Sequence, residues 1–129
     1  MATGDIMRCL IVDDSAGFRD AACRMLARGG VDVVASASNS GEAVRLCREL
    51  QPDVAVVDVM LGPESGFDLA QQLQSSELPR RPLVVLVSTY AEQDLTEMIE
   101  TSPAVGFLPK FALSAAAIED LVATALPGR

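Results

Sequence analysis

The sequence predicts an α/β domain, a doubly wound parallel sheet of five strands with five helices on its two faces. Three observations carry this. Short runs of consecutive, mostly β-branched apolar residues lack polar alternation, which suits strands buried on both faces. Between them, apolar residues recur at the 3.6-residue period of a helix that covers a sheet. The two patterns alternate five times within 129 residues, and parallel strands joined this way need right-handed crossovers. With no linker, repeat or low-complexity segment, a single domain fills 1–129, with its core over about 6–125.

Ile6–Val12 (IMRCLIV) reads as the first strand and ends in Asp13 and Asp14. Ser15 is placed to cap a helix in which Phe18, Ala21, Ala22, Met25 and Leu26 share a face, and Gly29-Gly30 stops it. Val31–Ala35 is the second strand and 37–41 a polar turn. The next helix has Ala43, Leu46, Cys47 and Leu50 inward, and Pro52 closes that unit. The third strand, Val54–Val57, breaks on Asp58, and Gly62, Pro63, Ser65 and Gly66 follow as a loop composition. A helix over Gly66–Ser75 buries Leu69, Ala70 and Leu73. Leu83–Val87 is the fourth strand and runs into Ser88, Thr89 and Tyr90. A weaker helix over about 92–101 holds four acids and no base, and Pro103 ends it. Ala104–Leu108 is the fifth strand, followed by Pro109-Lys110, and the last helix spans about 113–125.

Composition narrows the function classes. Half the residues are hydrophobic, but no run approaches the roughly 20 apolar residues of a membrane span, and the N-terminus lacks a secretory h-region. Three cysteines without metal-ligand spacing read as reduced core thiols of a cytoplasmic protein. The absence of histidine removes Ser-His-Asp, Cys-His and zinc-histidine chemistry. A net charge of −8 argues against a duplex-binding surface.

A parallel sheet delivers every strand's last residue to one rim, where open α/β sheets bind ligands. Here that rim collects Asp13, Asp14, Asp58, Ser88 and Lys110. Taken singly, Asp58 also suits the start of a turn, and Asp13-Asp14 the start of a helix. Together, three carboxylates repel one another, and an oxygen-liganded dication such as Mg²⁺ offsets that repulsion. A metal beside a hydroxyl and an ammonium matches the needs of a phosphoryl group. Lys110 is the only lysine against nine arginines, and a compact ammonium reaches one oxygen beside a metal where a guanidinium fork would crowd it.

The sequence resembles the receiver domains of two-component response regulators over Ile6 to about Ala125. LIVDDS at 10–15 is similar to the family's acidic pair, and VVDVMLGPESGFDL at 56–69 to its phospho-acceptor segment, with Gly66 eight residues after the aspartate. LVST at 86–89 resembles the strand-four hydroxyl motif and GFLPK at 106–110 the strand-five lysine motif. The resemblance implies a flavodoxin-like strand order, 2-1-3-4-5. It also implies that Asp58 takes a phosphoryl group from the phosphohistidine of a sensor histidine kinase or phosphotransfer protein. Asp13, Asp14, Asp58 and the backbone carbonyl of Met60 would hold Mg²⁺. Ser88 and Lys110 would bind the phosphoryl oxygens, with Thr89 one position from the hydroxyl role and Tyr90 a further candidate. Ser88 and the aromatic Phe107 would form the switch. Such a module catalyses only its own phosphorylation and dephosphorylation.

Three departures stand out. The family's usual proline four residues after the acceptor is Gly62 here, with Pro63 next, so the loop should be shaped differently. The proline after the lysine is Phe111, so no cis bond is expected there. The register of Ser88 and Thr89 could slip by one.

Two other readings compete on the same fold. An aspartyl-nucleophile phosphohydrolase needs a second acid near the nucleophile and a cap, whereas Met60 sits two residues beyond Asp58 and the loops are short. A flavin-binding domain needs a phosphate-cradling loop where this chain has two carboxylates. The sequence holds no DNA-binding domain, which leaves a stand-alone receiver acting on an output protein, or the receiver part of a longer regulator. The fourth and fifth helices carry an acidic face, with Glu97, Glu100, Glu119 and Asp120 among its residues, that suits a basic or apolar partner. Ile118 and Val122 offer an alternative flank for a second copy.

Overall fold

The computed structural model describes residues 6–75, 78–89 and 95–125. In chain order the elements are β1 (Arg8–Val12), α1 (Ala16–Arg28), β2 (Asp32–Ala37), α2 (Ser40–Leu50), β3 (Val54–Asp58), β4 (Met60–Leu61) and β5 (Glu64–Ser65). Then come α3 (Gly66–Ser75), β6 (Leu83–Ser88), α4 (Thr96–Thr101), β7 (Gly106–Pro109), a 3-10 turn (Lys110–Ala112) and α5 (Ala115–Ala125). The large sheet is parallel throughout, in the order β2-β1-β3-β6-β7. With the short β4–β5 hairpin set aside, this is the expected order 2-1-3-4-5.

The unbroken apolar runs are buried as their composition requires. Every residue of β3 is buried, and so are Cys9 to Val12 and Val84 to Ser88. Alternate residues of each strand feed two separate cores. Leu10, Val12, Ala55, Val57, Val84 and Leu86 pack with α2 and α3 on one face, joined by Phe107, Leu95 and Ile99. Cys9, Ile11, Val54, Val56, Val85 and Val87 pack with Ala22 and Leu26 of α1 and Ile118 of α5 on the other. The sheet is thus covered on both sides, and every strand end reaches the rim between the layers.

Several boundaries differ from the sequence reading. β1 begins at Arg8, because Ile6 is exposed and outside the ladder. β2 runs on to Ala37, so the expected turn over 37–41 is shorter and Asn39 caps α2 through Glu42 N at 2.9 Å. β7 starts two residues late, at Gly106, and includes Pro109, which sits on an edge strand where a missing N–H is tolerated. α5 starts at Ala115, because the chain first makes the turn at 110–112 and Ser114 caps the helix by accepting from Ala117 N at 3.0 Å. The described part of the fourth helix is Thr96–Thr101, and Glu92 and Asp94 lie outside the described residues.

Met60–Leu61 and Glu64–Ser65 form an antiparallel hairpin where only a loop was expected. Gly62 turns it with φ of +62°, which a proline cannot adopt, so the departure at this position has a backbone cause. Ile118 is fully buried, so it offers no flank to a second copy. No described helix is long and apolar enough to cross a membrane.

Candidate functional site

Sheet register assembles the site. Val12 pairs with Val57, so Asp13 leaves the sheet beside Asp58. Asp58 pairs with Val87, which puts Ser88 one step further out, and Ser88 pairs with Pro109, immediately before Lys110. Ligand oxygens of Asp13, Asp14 and Asp58 lie within 4.8 Å of one another. Asp13 and Asp58 are buried, whereas Asp14 is exposed at the mouth.

Lys110 Nζ stands 2.7 Å from Asp13 Oδ2 and 3.0 Å from Asp58 Oδ2. Its ammonium thus offsets part of the repulsion between the two buried carboxylates. Each carboxylate is also anchored by backbone two residues on: Ser15 N donates to Asp13 Oδ1 at 2.8 Å and Met60 N to Asp58 Oδ1 at 3.1 Å. Arg19 Nη1 donates to the Asp13 carbonyl at 2.6 Å, which ties the first turn of α1 to the strand end.

Burial pushes the Asp58 carboxyl above its ordinary 3.8, with Asp13 adding to the rise, while the Met60 N–H and the Lys110 ammonium pull the other way. Burial alone would lower the Lys110 pKa, but Asp13 and Asp58 outweigh it and raise it above the ordinary value. The lysine is therefore a fixed cation at neutral pH.

The donor set suits a hard cation. Asp13 Oδ2 is buried and meets the Lys110 ammonium at 2.7 Å, and a carboxylate oxygen with one cationic partner keeps a lone pair for a ligand. Three carboxylates on a rim are the hard-oxygen donors that Mg²⁺ or Ca²⁺ prefers.

The other residues named from the sequence fall around this centre. Ser88 is buried at the end of β6, and Thr89, one residue on, is exposed. Tyr90 lies outside the described residues. Met60 is half exposed on the hairpin, and Phe107 is buried in the core beside α3. Phe111 is exposed, and the Lys110–Phe111 bond is trans, as are all described peptide bonds. The sequence reading missed Phe18, whose ring lies 4.3 Å from the Lys110 ammonium. Its helical spacing marked only an apolar face. It also missed Arg19, whose role depends on a backbone carbonyl that no side-chain pattern reveals.

Comparison with known proteins identifies the fold and the family. Residues 9–123 match the response regulator receiver domain. The transcriptional regulatory protein PdtaR of Mycobacterium tuberculosis is 32% identical over 103 residues, covering 80% of this chain and 49% of that protein. A protein-glutamate methylesterase/protein-glutamine glutaminase of Archaeoglobus fulgidus is 36% identical over 94 residues, covering 73% of this chain and 26% of its own length. The chain thus spans about half, or less, of these curated relatives. Among solved structures, the signal receiver domain of the putative response regulator NarL from Mycobacterium tuberculosis superposes with a TM-score of 0.78 at 30% identity, covering 97% of this chain and 99% of that one. The chain belongs to the response regulator receiver domain family and is a receiver of two-component signalling.

Proposed function

We propose that Asp58 is the phosphoryl acceptor, that Mg²⁺ assists the transfer, and that a sensor histidine kinase or phosphotransfer protein is the donor. The observation that carries this is the placement of Asp58: a buried carboxylate beside Asp13, Asp14 and Lys110 at the end of the central strand. An Asp58 oxygen attacks phosphorus as the P–N bond of the donor's phosphohistidine breaks. The bonding pair goes to the imidazole, which leaves neutral when its other nitrogen carries a proton. The product is an acyl phosphate on Asp58.

Asp13, Asp14, Asp58 and the Met60 carbonyl would hold the metal. Bound Mg²⁺ supplies positive charge to the phosphoryl oxygens. Lys110 supplies a second cation to the same oxygens from where it already touches Asp58, and the Ser88 hydroxyl bonds another. Ser88 and Phe107 then pass the change to an output partner or an output domain of the same regulator. The chain turns over no separate metabolite, works in the cytoplasm, and contacts neither nucleic acid nor membrane itself.

Incubation with acetyl phosphate and Mg²⁺ should add one phosphoryl group by intact mass. Asp58→Asn should add none while keeping the fold. Unchanged labelling of that variant would move the acceptor to another residue.

A further inference from the structure

We propose that Phe18 is a positioning residue for Lys110, holding its ammonium against the aromatic face at the spot where it serves the acceptor. This rests on Asp58 being the acceptor. The ring centroid lies 4.3 Å from Nζ, within the range of a cation–π attraction, and the lysine side chain is only 17% exposed, so water screens the contact weakly. The contact is local to the site: Ser15 caps α1 by accepting from Phe18 N at 3.3 Å, and Ser15 N itself holds Asp13 Oδ1. One helical turn therefore fixes a buried carboxylate through Ser15 and the ammonium through Phe18.

An uncharged aromatic face is suited to this place. The rim already carries three carboxylates, and a fourth would add the repulsion that Lys110 partly relieves. A lysine held only by charges would follow them, and one of its two partners, Asp58, changes chemistry when it is phosphorylated. The ring's attraction does not depend on that change. It keeps a flexible four-carbon side chain, with three donors free to turn, in one direction.

Because Lys110 is the only lysine, ¹³C-lysine labelling yields one side-chain signal. In the wild type its ε protons should be shifted upfield by the ring current of Phe18. Phe18→Leu, which keeps an apolar side chain of similar bulk, should return them to free-lysine positions. It should also slow labelling by acetyl phosphate roughly tenfold, equivalent to about 1.4 kcal/mol of lost stabilisation. Phe18→Tyr, which keeps the ring, should preserve both. A wild-type signal at free-lysine positions overturns the proposal, and so does a Leu variant labelled at the wild-type rate. Should the Leu variant unfold, the wild-type shift and the Tyr variant still decide. A wild type with the upfield signal but no phosphoryl uptake would refute the acceptor reading and leave the Phe18–Lys110 contact standing.

Discussion

A β-carbon added at Gly66 would run into the carbonyl group of Asp58 and Val59 Cα, backbone atoms that cannot swing aside. The first residue of α3 is thus pressed against the main chain of Asp58, held by Gly66 N donating to Val59 O at 2.8 Å. Gly66→Ala should cost about 1–3 kcal/mol of stability, the usual range for overpacking. It should also slow phosphoryl uptake, because the backbone that must give way carries Asp58. Gly106 provides the contrast: a β-carbon there meets only the Leu121 side chain, starting at 2.5 Å, which can turn to another rotamer. Gly106→Ala should therefore lower the denaturation midpoint with little change in labelling rate. Equal loss of labelling in both variants would mean that general loosening is responsible. At this scale the charged residues that meet on the rim were legible in the sequence, since each ends a strand, whereas the close contacts at Gly66 and Gly106 were not. Phe18 and Arg19 were not legible, because a ring face and a carbonyl contact exist only after folding.

Opposite the rim, Arg8 clamps the other edge of the sheet. Its Nη1 donates to the Leu50 and Gln51 carbonyls at 2.7 and 3.0 Å, at the C-terminal end of α2. Its backbone N donates to Asp53 Oδ2 at 2.8 Å, and Asp53 in turn pairs with Arg80 at 2.7 Å. Arg8→Leu should leave those helix-end carbonyls without their donor and cost about 1–3 kcal/mol in a denaturant titration. Labelling by acetyl phosphate should be unchanged, since the clamp lies a strand length from Asp58. A variant that loses labelling in proportion to stability would show that the two edges are coupled. Element existence and order could be read from the apolar runs, but ends were less legible. IMRCLIV looked uniformly strand-like, yet Arg8 starts the ladder and Ile6 faces solvent. The β4–β5 hairpin escaped notice because two-residue strands have no periodicity, and its turn depends on the positive φ of Gly62.

Across the whole molecule, the two cores explain why the fold was readable: in β1, β3 and β6 every residue after the first, and in β3 the first as well, is buried on one face or the other, so these runs needed no polar alternation. The same burial holds an acidic cluster whose members repel one another. Asp58 is buried near Asp13 and Asp14, with Lys110 as the one cation paired with it among the described residues. Its carboxyl is raised above 3.8, so folding favours the protonated form. The stability that this contributes is present in full below pH 3.8 and is lost as pH rises through the folded pKa. Asp58→Asn lacks that loss. It should melt higher than the wild type near pH 7.5 in EDTA, by roughly 2–6 °C, the shift that about 1 kcal/mol produces at this size. The difference should shrink as the pH is lowered through the folded pKa. Millimolar Mg²⁺ should raise the wild type more than the Asn variant, because a cation bound only by the folded site stabilises it by mass action and the variant has lost one ligand charge. Melting curves of both proteins across pH, in EDTA and in Mg²⁺, test the argument. An Asn variant that melts no higher at neutral pH, with the same response to Mg²⁺, would show that Lys110 already neutralises the cluster and that no net repulsion is stored there.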